Sequence, residues 1–161
     1  MKHIKVFAPG TVANLGCGFD IMGLTLDGVG DRIEVAAEAG ASGLAIRNES
    51  GKRLPEKPED NVITPAVAAL LEAYGKPVRV GITILEKIAP GSGIGSSAAS
   101  SAAAVYGLNE AVPELMTIAE AGKIAIILGA MIAGGVVISG LFTVAALNKF
   151  VNMKSNKIYL Y

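Results

Sequence analysis

The sequence lacks tryptophan, has a single cysteine, and places charged residues at only 17% of its 161 positions. One cysteine cannot form an internal disulfide, which is typical of proteins from a reducing, cytoplasmic compartment. Fourteen basic residues balance fourteen acidic ones, so the chain has no surplus of positive charge to attract nucleic acid or anionic lipid. These shortages exclude a disulfide-stabilised scaffold and argue against a nucleic-acid-binding protein.

Apolar residues, by contrast, are abundant. They account for 52% of the sequence, which excludes a disordered chain because enough apolar surface is available to drive collapse. Residues 1–9 are not expected to act as a signal peptide, since their apolar stretch is short and Pro9 closes it. Charge is unevenly spread, with only six charged residues in the segment 113–161. Length and composition together indicate one domain, or one domain followed by a fragment of a second.

Apolar periodicity and turn signals predict alternating strands and helices, and hence an α+β or α/β class. The predicted strands cover residues 4–7, 31–35, 44–47 and 78–85. The predicted helices cover residues 61–74 and 97–109. Pro9 and Gly10 should end the first strand, and Gly75 should end the first helix.

A glycine-rich segment, PGSGIGSSAASS at residues 90–101, lies between the last predicted strand and the second predicted helix. Three glycines at alternate positions allow backbone amides to face one anion without obstruction by Cβ atoms. The following helix directs its N-terminal amides and its dipole to the same place. No residue from 88 to 109 is charged, so a phosphate bound here would be held by amides, hydroxyls and a metal. The segment is not a Walker A loop, because it lacks Gly-Lys-Ser/Thr.

Two other interpretations of this segment are open. Residues 93–98 match the relaxed dinucleotide-binding pattern G-x-G-x-x-A after a predicted strand. The acidic residue that this pattern expects would be Glu110 or Glu114, and both are in helical context. Alternatively, glycine and alanine only allow a helix and a strand to pack closely. Close packing accounts for the small residues but not for the serines among residues 96–101.

A second dense phrase, APGTVANLGCGFD, occupies residues 8–20. Asn14 and Asp20 flank a glycine loop that can direct their side chains at one small polar ligand. By itself the phrase is also compatible with ordinary turn chemistry, in which Asn, Asp and Gly are common. Cys17 within it is expected to be a small buried residue.

Together, the two phrases resemble the motifs of the GHMP kinases, and within that family most closely those of the homoserine kinases. The matching residues are 8–20, 60–62 and 90–100, with Leu108, Asn109 and Glu110 closing the Ala-rich helix. The resemblance covers residues 1–112 and implies an ATP-binding N-terminal domain there, with an α+β fold like domain 2 of ribosomal protein S5. It also implies ATP-dependent phosphoryl transfer to the hydroxyl of L-homoserine, a step of threonine biosynthesis in the cytoplasm.

The same resemblance implies roles for individual residues. Asn14 and Asp20 would hold the amino acid substrate, Asn61 would lie near the adenine, and Ser96 would help to hold Mg²⁺. The phosphates of ATP would be wrapped by the glycine-rich motif, whose residues here are Pro90, Gly91, Ser92, Gly93, Ile94, Gly95, Ser96, Ser97, Ala98, Ala99 and Ser100. The expected partners are ATP, Mg²⁺ and L-homoserine, in a monomer or a homodimer, with neither nucleic acid nor a membrane.

Residues 113–161 depart from the family pattern. The expected magnesium-binding Glu falls on Gly122, with Glu120 two residues away, and the expected His-Ala-Asp-Asn phrase is replaced by residues 130–135. The C-terminal domain of the family has no counterpart. Residues 124–148 carry no charge, which fits either a buried helix, turn and strand or a membrane-spanning helix. The hypotheses are therefore a homoserine kinase, a non-catalytic nucleotide-binding remnant, and a membrane-tethered fragment.

Overall fold

The computed structural model describes residues 1–112, apart from the side chains of Asn14 and of residues 18–21. Its strands are β1 (Lys2–Leu15), β2 (Gly18–Ala39), β3 (Gly43–Asn48) and β4 (Val78–Glu86). Its helices are a 3-10 turn (Pro58–Asp60), α1 (Thr64–Tyr74) and α2 (Ser96–Ala111). The strands form one sheet in the order β1-β2-β4-β3, in which β3 runs parallel to β4 and the other pairs are antiparallel. The predicted α+β class is confirmed.

One face of the sheet carries the core. Alternate residues of β2 and β4 point to this face because side chains along a strand alternate between its two sides. The buried residues of β4 are those predicted to share a face: Val78, Val80, Ile82 and Ile84. Helix α2 packs on β1 and β2, and α1 packs on α2. Gly107 allows the close approach of α2, since a Cβ there would lie 2.8 Å from Cγ2 of Val35.

The first strand is longer than predicted, and the expectation that Pro9 and Gly10 end it is wrong. β1 continues through both residues to Leu15, and its pairing with β2 shifts register between Pro9 and Thr11. Proline is tolerated at this position because β1 is an edge strand of the described sheet and an irregularity replaces regular pairing there. A proline-glycine pair therefore bends this strand without ending it.

Residues 8–20 form a β-hairpin and not the predicted glycine loop. Only Gly16 and Cys17 make the turn, and Leu15 pairs with Gly18 across it. Gly16 has a φ of +53°, a left-handed conformation that glycine adopts at little cost. Cys17 is exposed in this turn, so the expectation that it is buried is wrong.

The helix predictions are confirmed with small differences at their ends. Helix α1 begins at Thr64, after the predicted start at residue 61, and Gly75 follows its last residue with a φ of +69°. Helix α2 extends the predicted range 97–109 by one residue at its start and two at its end. The interpretations of residues 113–161, including a membrane span at 124–148, lie outside the described residues. Within residues 1–112, no helix is long and apolar enough to span a membrane.

Candidate functional site

The glycine-rich loop connects β4 to α2 and has the backbone that its sequence predicts. Gly91, Gly93 and Gly95 have φ values of +75°, +77° and +72°. Residues with a Cβ rarely adopt these left-handed values. A Cβ built on Gly91 or Gly93 would meet no atom of residues 1–112 within 4 Å. This side of the loop is therefore open, and a ligand can approach its backbone closely.

Helix α2 begins directly at the end of this loop. Gly95 occupies the N-cap position, where it provides no capping side chain, and the first turn contains no acidic residue. The first amides of a helix have no intrahelical acceptor, and the helix dipole is positive at this end. The loop and the first turn of α2 together can donate several amide hydrogen bonds to one anion.

The hairpin contacts the glycine loop, so the two dense phrases of the sequence lie side by side. The Thr11 amide donates to the carbonyl oxygen of Ile94 at 3.0 Å. A Cβ on Gly95 would lie 2.5 Å from Thr11 Oγ1, and a Cβ on Gly10 would lie 3.4 Å from the Ile94 oxygen. Asn14 and Asp20 belong to the same hairpin, and their role in binding a substrate stays a prediction.

A buried ion pair lies beneath the loop. The Lys87 ammonium is 2.9 Å from Oδ2 of Asp31, and the two side chains are 4% and 0% exposed. Lys87 Nζ also donates to the carbonyl oxygen and the hydroxyl of Ser96, the first residue of α2. Ser100 Oγ donates to Asp31 Oδ2 at 2.5 Å. We name these four residues, Asp31, Lys87, Ser96 and Ser100, the buried network.

Sequence patterns predict neither Asp31 nor Lys87 as part of the site. A signal does exist, because Asp31 occupies an inward position of β2, in phase with the buried Ile33 and Val35. An acidic residue in an apolar register indicates a buried partner. That partner, Lys87, is 56 positions away along the chain, and only the pairing of β2 with β4 brings the two together.

Ser96 and Ser97, which the sequence predicts as ligands of Mg²⁺ or phosphate, have hydroxyl groups in different surroundings. Ser96, the predicted Mg²⁺ ligand, accepts from Lys87 and donates to the carbonyl oxygen of Ile88 at 3.1 Å. The next hydroxyl, that of Ser97, has no hydrogen-bonding partner among the described residues and is partly exposed. Residues 1–112 contain no cluster of three or more acidic, histidine or cysteine side chains that could hold a metal ion. The role of Ser96 as a metal ligand stays a prediction.

A cavity of about 190 Å³ opens between the first turn of α2 and the segment that precedes α1. Ser96, Ser97 and Ser100 line one side, and Asn61 with Arg53 belongs to the other. The remaining lining residues are Leu54, Pro55, Asp60, Val62, Ile63, Ile84, Lys87 and Pro90. Four of the predicted phosphate residues, Pro90, Ser96, Ser97 and Ser100, thus border the same cavity as Asn61, whereas the three loop glycines are not among its lining residues. Arg53 has no sequence signal, since it is one of three cations in a proline-containing loop and belongs to no motif.

Asn61 holds the wall of this cavity in place. Its Nδ2 donates to the carbonyl oxygen of Pro55, and its Oδ1 accepts from the Ile63 amide at 3.1 Å. Both halves of the side-chain amide are therefore used within the segment from Pro55 to Ile63. Asn61 shapes the cavity through the backbone, and its predicted proximity to an adenine stays a prediction.

One family model and several named proteins are similar in sequence to this chain. The family model described as the GHMP kinases N terminal domain matches residues 61–149. Over 150 residues the chain is 40% identical to a homoserine kinase of Natronomonas pharaonis, a match that covers 88% of this chain and 49% of that protein. Over 110 residues it is 36% identical to a homoserine kinase of Methanococcus maripaludis, covering 68% and 36%. The chain thus spans about a third to a half of the length of these relatives.

Solved structures agree with this match. A homoserine kinase from Cytophaga hutchinsonii superposes with a TM-score of 0.73 at 36% identity, over 84% of this chain and 43% of that one. The mevalonate kinase of Methanococcus jannaschii superposes with a TM-score of 0.58 at 13% identity, over 83% and 48%. The second likeness shows a common fold, and the first extends to the sequence.

Proposed function

The chain belongs to the GHMP kinase family, and from this premise we propose that residues 1–112 form the nucleotide-binding domain of an ATP-dependent kinase. The observation that carries the proposal is the glycine loop. Three glycines with left-handed φ values lead into the start of α2, which has no side-chain cap. A cavity of about 190 Å³, large enough for part of a nucleotide, opens beside the first turn of this helix. Residues 113–149, which the same family model matches, would continue this domain.

The phosphates of ATP would lie on the loop from Pro90 to Ser97. Their negative charge suits the amides of the loop and the positive end of the α2 dipole. Lys87 would contribute little direct contact, because its three ammonium protons are directed at Asp31 and Ser96. The base would enter the cavity beside Asn61, with Arg53 at its edge.

Hydroxyl groups fit a magnesium ion that arrives with the nucleotide. Mg²⁺ prefers oxygen ligands and keeps several waters while bridging phosphates, so a protein hydroxyl here would supply one of its ligands. Ser97, whose hydroxyl is free of partners among the described residues, is better placed for this role than Ser96. When bound, the ion would neutralise charge on the transferred phosphoryl group.

We further propose L-homoserine as the phosphoryl acceptor, with Asn14 and Asp20 as its ligands. The support is the identity to proteins named homoserine kinase and the contact of the hairpin with the loop through Thr11 and Ile94. A carboxylate repels a triphosphate but attracts an ammonium. Asp20 would therefore accept a charge-assisted hydrogen bond from the amino group of the acceptor or orient its hydroxyl.

Transfer of radiolabelled γ-phosphate from ATP to a panel of small alcohols tests the function. The proposal predicts Mg²⁺-dependent labelling of homoserine above threonine, serine and mevalonate. Labelling of another alcohol in preference to homoserine would contradict the substrate. ATP binding without labelling of any alcohol would favour the second candidate, a non-catalytic nucleotide-binding remnant. The observation favouring that candidate is Gly122 at the position of the expected magnesium-binding Glu.

Replacing Asp20 by Asn tests the acceptor site separately. Binding of homoserine, measured by calorimetry in the presence of an ATP analogue, should be lost, while ATP affinity and the melting temperature stay nearly unchanged. Asp27→Asn is the matched control, because it removes the same charge from an exposed position of the same strand. If Asp20→Asn melts early and binds both ligands poorly, Asp20 has a structural role in the hairpin and the assignment is wrong.

A further inference from the structure

Asp31 is a carboxylate in an apolar setting. It is fully buried on the inner face of β2, next to Ile33 in the alternation that forms the core. Burial of a charge costs several kcal/mol unless the charge is paired and hydrogen-bonded. An apolar residue would fit the register of β2 at no such cost, so the presence of an acid here calls for a physical explanation.

The partners of Asp31 supply that explanation, because they come from both ends of the glycine loop. Oδ1 accepts from the amide of Ile88, where the loop leaves β4, at 2.8 Å. Oδ2 accepts from Lys87 at 2.9 Å and from Ser100, in the first turns of α2, at 2.5 Å. One carboxylate therefore connects β2, the start of the loop and the helix that follows the loop.

Lys87 connects Asp31 to the start of α2. Its ammonium donates to Asp31, to the Ser96 carbonyl at 2.7 Å and to the Ser96 hydroxyl, so all three of its protons are used. Ser96 begins α2. Both ends of the glycine loop are thus fixed to the same carboxylate, directly or through one ammonium, while the glycines between them carry no side chains.

We infer that Asp31 is a positioning residue for the phosphate-binding loop. It holds Ile88, Lys87 and Ser100, and so fixes the distance and orientation between the loop and the first turn of α2. This inference rests on the proposed nucleotide-binding function. It assigns Asp31 no contact with the nucleotide, since its oxygens face the three buried donors.

The direction in which Asp31→Asn changes the affinity for ATP distinguishes a positioning role from a purely electrostatic one. Asp31→Asn removes a negative charge near a phosphate site and leaves the Lys87 ammonium without its counter-charge. An electrostatic role alone would therefore give tighter ATP binding in this variant. Positioning predicts weaker binding, because the Asn amide group directs N–H protons at the donors that the carboxylate accepted from.

The experiment measures the affinities of the 161-residue chain for Mg·ATP and for adenosine by calorimetry, at a temperature at which circular dichroism shows each variant to be folded. Asp31→Asn and Ser100→Ala should each weaken Mg·ATP binding about tenfold or more, since hydrogen bonds to charged groups contribute on this scale. Adenosine, which has no phosphates, should bind with unchanged affinity. Ser101→Ala is the matched control, because Ser101 is equally buried but bonds weakly to Val62.

The outcomes are distinguishable. A wild-type chain that binds no ATP would overturn the proposed function and this inference with it. Wild-type ATP binding together with unchanged or tighter ATP affinity in Asp31→Asn and Ser100→Ala would overturn the inference alone. Equal losses for ATP and adenosine would also overturn it, since they would show a general structural role. If Asp31→Asn does not fold, Ser100→Ala decides the matter by the same comparison.

Discussion

Strand β2 carries charged residues on both faces of the sheet, and these residues are buried on one face and exposed on the other. On the inner face, Asp31 is fully buried and bonded to Lys87, Ser100 and the Ile88 amide. On the outer face, the next residue, Arg32, pairs with Glu86 at 2.8 Å while both side chains remain about 60% exposed. Each pair joins one cation to one carboxylate, but only the inner pair is shielded from solvent and has further hydrogen bonds.

The outer pairs lie on the face of the sheet that is opposite the core. Glu34 lies between His3, at 2.9 Å, and Lys5, at 3.5 Å, and Arg79 approaches Glu38 at 3.6 Å. Water competes for each of these groups, so each pair contributes little to stability. The inner pair is shielded from water and has defined geometry. A charge on this strand therefore fixes local structure only where neighbouring elements exclude solvent.

The largest effect should come from Lys87→Met. This change leaves the Asp31 carboxylate buried without its counter-charge, and we expect the free energy of unfolding to fall by about 3–5 kcal/mol. Urea denaturation measures the change. The double variant Asp31→Asn, Lys87→Met should be more stable than Lys87→Met, because it removes the unpaired charge. A loss under about 1 kcal/mol in the single variant would show that the inner pair behaves like a surface pair.

Glu86→Gln is the matched test on the outer face. It removes the charge that pairs with Arg32 and preserves the size of the side chain, and we expect a loss of about 1 kcal/mol or less. The difference from wild type should shrink further at high salt, since exposed charges are screened. Urea denaturation at low and high salt checks both statements. A loss as large as that of Lys87→Met would remove the contrast between the faces.

The smallest effect concerns Glu34. The hydrogen bond with His3 holds the pKa of the Glu34 carboxyl below its usual value, and Lys5 adds to this shift. A lowered pKa in the folded state stabilises the protein above the ordinary pKa, and this contribution is lost as the pH falls through the folded-state value. In His3→Gln the pKa of Glu34 should rise towards its ordinary value, more than in Lys5→Met. Carbon-detected NMR titration measures the pKa of Glu34. A pKa that does not rise in His3→Gln would show that the hydrogen bond with His3 does not cause the shift.

Much of this architecture is predictable from local patterns. The alternation from Val78 to Ile84 predicts β4 and its buried face, Gly75 marks the end of α1, and the glycines of residues 91–95 predict a loop that opens its backbone to an anion. The hairpin is not predictable in this way, because an edge strand tolerates Pro9 and Gly10 and only pairing with β2 extends β1 to Leu15. The buried network is only partly predictable, because the motif contains Ser96 and Ser100 and the register of β2 marks Asp31, but the pairing of Asp31 with Lys87 depends on the contact of β2, β4 and α2.

Binding of the ATP phosphates by the glycine loop underlies the proposed function, and calorimetry of Mg·ATP binding to the variant Gly93→Val measures it. Gly93 has a φ of +77° and open space where a Cβ would lie, whereas a side chain on Gly95 would strike Thr11. Gly40→Val is the control, because Gly40 is also left-handed and open but lies in the turn after β2. We expect Gly93→Val to lose ATP binding and Gly40→Val to retain it. If Gly93→Val binds ATP with the affinity of the wild type, the loop does not hold the phosphates.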